Sequence, residues 1–160
     1  MTNNRFAYLH NEYIDLSIDT SFGGKITKLK NKSTNYDWVW YLENKQAIFK
    51  PVNFSDYDSQ WIGGYEELFP NDKIQTLNGE LAPDHGELWS SKWNVIDIND
   101  DFLKLSYVGY FSNSIVLKTF KLQENKVKVF YEINNIKLEK FLFKLHLAML
   151  INKTSIDFKF

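Results

Sequence analysis

Apolar and polar side chains alternate along much of this chain. Residues 5–10 and 13–19 alternate on either side of Asn11 and Glu12. Because successive side chains of a strand point to opposite faces, a period of two indicates two strands joined by a short turn. The opening of the sequence therefore predicts a β-hairpin.

Glycine-containing and polar segments separate the runs that follow. Gly23 and Gly24 predict a turn or bulge at which a side chain is not tolerated. Residues 31–35 predict a polar turn, and residues 38–41 return to the aromatic and β-branched composition of a strand. From residue 49 to residue 81 the periodicity weakens. Long irregular segments of a compact domain commonly carry function, so we expect a binding surface there.

The last third of the chain contains four runs with strand-like alternation. They are residues 102–110, 114–122, 126–134 and 140–151, separated by short polar segments. We expect these runs to form an antiparallel meander. No segment shows sustained helical periodicity, so helix should be scarce. The predicted fold class is all-β, with one domain over residues 1–160.

Composition limits the protein to a few classes. A chain of 160 residues and 19.0 kDa has the usual size of one domain. The absence of cysteine removes thiol nucleophiles and cysteine-containing zinc sites, and it is compatible with a reducing cytoplasm. A net charge of -1 without a basic run argues against nucleic-acid binding. With no signal peptide and no apolar stretch of about 18 residues, we expect a cytoplasmic protein without a membrane span.

Aromatic residues make up 17% of the chain, and asparagine is frequent beside them. A β-protein core accounts for most of this enrichment, because aromatic rings fit pleated, half-buried surfaces. Flat rings also stack on the apolar faces of sugars, and amide side chains satisfy sugar hydroxyls. The composition thus gives weak support for a carbohydrate ligand.

For two of the three histidines, the neighbouring residues indicate the local environment. His10 ends the first predicted strand and is expected to be an ordinary surface residue. His85 lies between Pro83, which fixes the backbone on one side, and Gly86, which leaves backbone access on the other. Because a proline and a glycine flank it, His85 is a candidate functional residue.

The third histidine, His146, lies in the last predicted strand. Alternation places the odd-numbered residues from Phe141 to Met149 on one face, which we expect to be core. Lys144 and His146 share the other face, and burying both without partners would be costly, so that face should border a polar cleft or solvent. From the residues alone, a structural histidine satisfied by a hydrogen bond remains the alternative to a functional one.

The sequence predicts no metal site and no nucleotide site. His85 and Glu87 match the short His-x-Glu element of zinc deaminases, but the cysteine ligands of that site do not exist here. No His-Glu-x-x-His spacing occurs, and the glycine pairs lack the strand-to-helix context of a phosphate-binding loop. Asp84 and Glu87 could together bind a hard cation such as Ca²⁺ or Mg²⁺. A solvated acidic loop is the simpler interpretation of these two residues.

Three segments together resemble the aldose 1-epimerase (galactose mutarotase-like) family. They are the opening strands at residues 17–29, residues 63–93 with a Gly-Gly-x-Glu-Glu-x-Phe-Pro loop and an Asp-His-Gly turn, and the strand pair at residues 131–146. The resemblance implies a large antiparallel β-sandwich, here without its C-terminal part, whose concave face binds a monosaccharide, an aldohexose. It also implies interconversion of the α and β anomers by ring opening and closure, with no cofactor.

The resemblance also implies roles for individual residues. His146 would protonate the ring oxygen, and His85 would hydrogen-bond the sugar and polarise it. The catalytic base of the family is a glutamate beyond the point that matches Phe160, and it has no counterpart in this chain. The remaining candidate sugar contacts are Asp84, Glu66, Glu67, Asn71 and Trp89, of which Glu66, Glu67 and Asn71 stand near the place of an Asn-Arg contact in the best-known branch.

Three functions follow from these observations. The first is an aldose 1-epimerase-type isomerase, and the second is a carbohydrate-binding module without turnover. The third is a structural β-domain whose histidines are only satisfied by hydrogen bonds. A sandwich without its last strands exposes sheet edges, so we also expect self-association through those edges.

Overall fold

The computed structural model describes residues 5–42 and 56–150, and strands dominate both ranges. One four-residue helix, α1, is found within them. In chain order the elements are β1 (Phe6–His10), β2 (Ile14–Asp19), β3 (Lys25–Asn31), β4 (Tyr36–Asp37), α1 (Tyr57–Gln60), β5 (Tyr65–Leu68), β6 (Gln75–Leu77), β7 (Glu80–Ala82), β8 (Asn94–Ile98), β9 (Phe102–Val108), β10 (Ile115–Gln123), β11 (Lys126–Asn134) and β12 (Lys144–Leu147). The prediction that helix is scarce is confirmed.

The strands form two principal antiparallel sheets and a small hairpin. The first sheet has the order β1-β2-β3-β5-β12, with β4 paired to β3. The second has the order β11-β10-β9-β8, and β6 and β7 form the hairpin. Apolar side chains from both principal sheets join one buried core, which includes Ile18 and Ile26 from the first and Leu105 and Phe120 from the second. The predicted β-sandwich is confirmed. Among the residues described, no helix has the length and apolar character needed to cross a bilayer.

The opening hairpin forms as predicted. Strands β1 and β2 pair antiparallel, with Leu9 opposite Leu16. The Oδ1 atom of Asn11 accepts from the backbone N–H groups of Tyr13 and Ile14, both at 2.9 Å, which closes the turn. At Gly23 the φ angle is +79°, and a Cβ atom there would lie 2.3 Å from the carbonyl oxygen of Trp89. The turn that excludes a side chain is therefore also confirmed.

Two segments differ from the predicted pattern. Residues 38–41 do not form a strand, and only Val39 and Tyr41 make isolated bridges, to Met149 and Gly63. Residues 49–55 of the predicted irregular region lie outside the described chain. The rest of that region contains α1, β5, β6 and the start of β7, and β5 is an interior strand of the first sheet.

The predicted four-stranded meander is wrong in its last strand. The first three runs form β9, β10 and β11, but the fourth forms β12, which pairs with β5 in the other sheet. The face of this run that was expected to be core is also largely exposed, with Leu145 at 51%. Leu145 lies opposite Glu67 on the face that turns towards the second sheet. In the part of the chain that the structure describes, β12 packs against β5 and makes no extensive contact with strands of the second sheet, which leaves Leu145 exposed.

Candidate functional site

Three neighbouring strands of the first sheet contribute the polar centre of the site. Strand β3 pairs with β5, and β5 pairs with β12, where His146 lies directly opposite Glu66. The Nζ atom of Lys25 on β3 donates to Glu66 Oε2. Alternation along β5 places Glu66 on the face opposite to that of Glu67, which is paired with Lys118 of the second sheet, so the cluster lies on the side of the first sheet away from the second. Register thus brings Lys25, Glu66 and His146 together.

Tyr57, the first residue of α1, joins this cluster from above the sheet. Its side chain is buried, and its hydroxyl group donates to Glu66 Oε1 at 2.6 Å. The same hydroxyl oxygen is hydrogen-bonded to Nδ1 of His146. The ring of Trp61 stacks on the imidazole ring of His146, with centroids 5.4 Å apart and 22° between the planes. The imidazole ring of His146 is therefore fixed by α1 and the residue that follows it.

Burial and charge act in opposite directions on Glu66. Burial alone would raise the pKa of this carboxyl group, because the charged form loses its hydration. The charge of Lys25, the proximity of His146 and the hydrogen bonds from Lys25 and Tyr57 outweigh burial, so the pKa of Glu66 is lowered. For Tyr57, burial and the neighbouring Glu66 charge both raise the pKa of the phenol. The site therefore holds an ionised carboxylate next to a neutral tyrosine.

His85 is held by the turn that follows β7. Its Nδ1 atom is 2.8 Å from Oδ1 of Asp84, whose other oxygen accepts from the backbone N–H group of Tyr57 at 2.9 Å. His85 has a φ angle of +57°, which is uncommon for a residue with a side chain. The next residue, Gly86, makes a parallel bridge with Phe69. The turn is thus fastened both to β5 and to the start of α1.

The two candidate histidines meet at one tyrosine ring. His85 stacks on Tyr57, with centroids 4.0 Å apart and 14° between the planes. His146 lies on the same ring at a centroid distance of 5.9 Å. Their side chains remain 23% and 38% exposed, respectively. The arrangement can therefore present two imidazoles, each anchored at Nδ1, to a ligand that carries hydroxyl groups.

Glu67 lies in a separate cluster on the other face of β5. It accepts from Nζ of Lys118 at 2.7 Å and from the hydroxyl group of Tyr131. Burial raises the pKa of Glu67 despite the charge of Lys118, and burial lowers the pKa of Lys118. These groups lie between the two sheets, so the structure places Glu67 away from the histidines.

Asn71 and Trp89 support the turn that carries His85. The amide nitrogen of Asn71 donates to the carbonyl oxygen of Pro83 at 2.6 Å, and Nε1 of Trp89 donates to the carbonyl oxygen of Asp84 at 3.0 Å. Both side chains are buried. Their contacts therefore hold the backbone of the turn.

The expectation of a solvated acidic loop at Asp84 and Glu87 is wrong. Glu87 is fully buried and accepts from the backbone N–H groups of Phe111 and Ser112, at 2.9 and 3.3 Å. The carboxylate of Asp84 is hydrogen-bonded to His85 and accepts from the backbone N–H group of Tyr57 in α1. Within the described residues, no group of three or more histidine or acidic side chains is arranged to hold a metal ion.

Sequence reasoning did not identify Lys25, Tyr57 or Trp61. Tyr57 and Trp61 lie within the region where the weak periodicity predicted a binding surface, and that was their only signal. Lys25 gave none, because a lysine that will be buried against a carboxylate looks the same in a sequence as one that will be exposed. Its partner Glu66 is 41 positions away.

Comparison with known proteins gives structural matches only. No protein-family model and no curated protein matches the sequence. A galactose mutarotase-like protein from Lactobacillus casei matches with a TM-score of 0.68 and 18% identity over 94% of this chain and 51% of its own. A putative aldose 1-epimerase from Escherichia coli matches with a TM-score of 0.60 and 16% identity over 81% and 46% of the two chains.

The chain has a galactose mutarotase-like fold. It spans about half the length of the mutarotase-like structures that it matches. A 4-alpha-glucanotransferase from Thermococcus litoralis also matches, with a TM-score of 0.54 and 18% identity over 87% of this chain and 23% of its own. Because this fold also occurs in a protein with another described activity, the fold alone does not decide the reaction.

Proposed function

We propose that this chain provides the histidine-bearing part of an aldose 1-epimerase-type site that binds an aldohexose. The observation that carries the proposal is the meeting of His85 and His146 at the ring of Tyr57, with each Nδ1 atom engaged by the protein. This engagement leaves Nε2 of each imidazole as the nitrogen for a ligand. The mutarotase-like fold supports the assignment, and a reducing cytoplasm is the location we propose.

The reaction needs an acid and a base. The base removes the proton of the C1 hydroxyl group, the acid protonates the ring oxygen, and the steps reverse after C1 has rotated. We assign the acid to His146 and a hydrogen bond that polarises the sugar to His85. Imidazole suits both roles because it takes up and releases protons near neutral pH.

The described glutamates near the site are not free to act as the base. Glu66, Glu67 and Glu87 are fully buried, and each is engaged by hydrogen bonds. One positioned acid or base typically contributes about 10² to 10⁴-fold to the rate. We therefore expect that the chain alone binds the sugar weakly and accelerates its anomerisation only slightly.

The engaged glutamates favour a second candidate function, a carbohydrate-binding module without turnover. Binding depends on the exposed parts of His85 and His146 and does not require a free carboxylate. A purely structural domain is the third candidate, and it predicts neither binding nor turnover.

Exchange NMR on α- and β-glucose and on α- and β-galactose, with and without the protein, distinguishes these functions. We expect a small acceleration that is lost in His146→Ala. His10→Ala is the matched control, because His10 is exposed on β1 and lies outside the site. Binding is followed in parallel by the chemical shifts of the histidine rings.

Each outcome of this experiment selects one function. Binding without acceleration identifies the module, and neither binding nor acceleration leaves the structural domain. Acceleration at full enzymatic rates would show that a carboxylate within this chain acts as the base, against our assignment of the glutamates.

A further inference from the structure

The hydroxyl group of Tyr57 lies between a buried carboxylate and a histidine. It contacts Glu66 Oε1 at 2.6 Å on one side and His146 Nδ1 on the other. A direct contact between Glu66 Oε1 and His146 Nδ1 is longer, at 3.8 Å. The phenol oxygen is therefore the atom through which Glu66 reaches the imidazole ring.

The charge state of Glu66 determines the direction of both hydrogen bonds. Lys25 and Glu66 are both fully buried and paired, which keeps the carboxylate ionised. An ionised carboxylate only accepts hydrogen bonds, so the single proton of the Tyr57 hydroxyl group must point to Glu66. The phenol oxygen then has only lone pairs left for His146. The Nδ1 atom of His146 must therefore be the donor.

This direction determines the tautomer of the neutral imidazole. A neutral ring carries one proton, and if Nδ1 has it, Nε2 is unprotonated and can accept. When the ring gains a second proton, that proton sits on Nε2. The groups that face the ring are Tyr57 from α1, Trp61 after it, and Glu66 from β5 with Lys25 behind it. All of them leave Nε2 as the position where the proton is exchanged.

We propose that Tyr57 is a positioning residue which, held by Glu66, fixes His146 with its proton on Nδ1 and makes Nε2 the atom that exchanges protons with the sugar. The inference rests on the proposed function for the identity of the sugar step. The tautomer itself is a property of the free protein and can be measured without any ligand.

The test is a long-range ¹H–¹⁵N correlation spectrum of protein labelled with ¹⁵N-histidine, at a pH where the rings are neutral. The chain has three histidines, and His10→Gln and His85→Gln assign their signals. We expect the pattern of an Nδ1–H ring for His146. In Tyr57→Phe the pattern should move towards the Nε2–H tautomer that free histidine prefers. Any anomerisation rate should fall about 10- to 100-fold, with little change in KM, as for other residues that orient a reacting group.

A matched control lies on the opposite face of the same strand. The hydroxyl group of Tyr131 donates to Glu67, which is paired with Lys118, so Tyr131→Phe removes the same kind of bond to a buried glutamate without a histidine beside it. Tyr131→Phe should leave the His146 tautomer and the rate unchanged. If Tyr57→Phe acted only through a general loss of packing, the two variants should have the same effect on the His146 tautomer. A change in Tyr57→Phe alone therefore indicates the specific hydrogen bond.

Two results would overturn the proposal. One is an Nε2–H ring for His146 in the wild type, which remains decisive even if Tyr57→Phe does not fold. The other is an unchanged Nδ1–H pattern in Tyr57→Phe. A wild-type protein that has the Nδ1–H ring but neither binds nor anomerises a sugar would overturn the proposed function alone, so the two failures are distinguishable.

Discussion

Two adjacent glutamates on β5 have opposite electrostatic environments. Glu66 and Glu67 are both fully buried, and each is paired with a lysine, Lys25 and Lys118 respectively. Burial raises the pKa of each from the ordinary value of 4.5, but opposing contacts lower the pKa of Glu66 overall, whereas that of Glu67 stays raised. Glu66 also has the hydroxyl group of Tyr57 as a donor and His146 beside it, and both lower its pKa. The same residue type, one position apart, therefore supports a charged site on one face and a packed core on the other.

Glu66→Gln and Glu67→Gln should change the pH dependence of stability in opposite directions. With a lowered pKa, Glu66 contributes stability above its unfolded pKa of about 4.5 that is lost as pH falls through its folded pKa. With a raised pKa, Glu67 contributes stability below about 4.5 that is lost as pH rises through its folded pKa. Urea unfolding from roughly pH 3 to pH 8 measures the free energy of unfolding of each protein.

The quantity to compare is the difference in unfolding free energy between wild type and variant. That difference should grow with pH for Glu66→Gln and shrink with pH for Glu67→Gln. Parallel profiles for the two variants would contradict the assignment of their environments.

At the scale of elements, the turn after β7 is held against the end of β5. Phe69 and Gly86 form a parallel bridge, and the backbone N–H group of Glu87 donates to the carbonyl oxygen of Phe69 at 2.7 Å. A Cβ atom at Gly86 would lie 2.1 Å from that same carbonyl oxygen. The position of His85 therefore depends on close backbone contact between two elements.

Gly86→Ala should cost far more stability than Gly79→Ala. Both glycines have a positive φ, +78° and +83°, but a Cβ atom at Gly79 has no atom within 4 Å. Gly79→Ala should therefore cost only the conformational strain of about 1 to 2 kcal/mol. Gly86→Ala adds a steric clash, and we expect a total loss of about 3 kcal/mol or more.

Urea unfolding measures both losses, and the ring signals of His85 report whether the turn has moved. They should shift in Gly86→Ala and remain in place in Gly79→Ala. Equal losses of stability would show that the backbone contact with Phe69 adds nothing to the turn.

For the molecule as a whole, one edge of the first sheet leaves apolar side chains exposed. Among the strands that the structure describes, β12 is an edge strand of the first sheet; Leu145 and Leu147 on one of its faces, and Met149 just beyond its end, are exposed. Exposed apolar side chains on an unpaired edge favour association between chains.

We predict concentration-dependent self-association through β12. The double variant Leu145→Lys with Leu147→Lys should lower the weight-average mass measured by analytical ultracentrifugation, because charge on an edge strand opposes pairing. Ile74→Lys with Leu81→Lys is the control, since both residues are exposed apolar side chains in or beside the β6–β7 hairpin. A wild-type protein that stays monomeric at all concentrations, or equal effects of the two variants, would contradict this prediction.

The features that depend on neighbouring residues could be predicted from the sequence. The hairpin around Asn11, the turn at Gly23 and the strands β9 to β11 follow from a period of two and from backbone preferences, which act over a few residues. The motif around His85 also marked a structured turn, although not the contacts that hold it.

The pairing of β12 with β5 and the contacts of the candidate site could not be predicted from the sequence. Tyr57 and His146 are 89 positions apart, and Lys25 and Glu66 are 41 apart, so no local pattern relates either pair. From the sequence, Glu66 and Glu67 are both candidate sugar contacts in a region expected to be irregular; the structure shows that they lie on opposite faces of β5, and which face meets the core depends on what the second sheet covers. The physical reason is that burial and long-range hydrogen bonding are set by the packing of whole sheets, while periodicity is set by the strand alone.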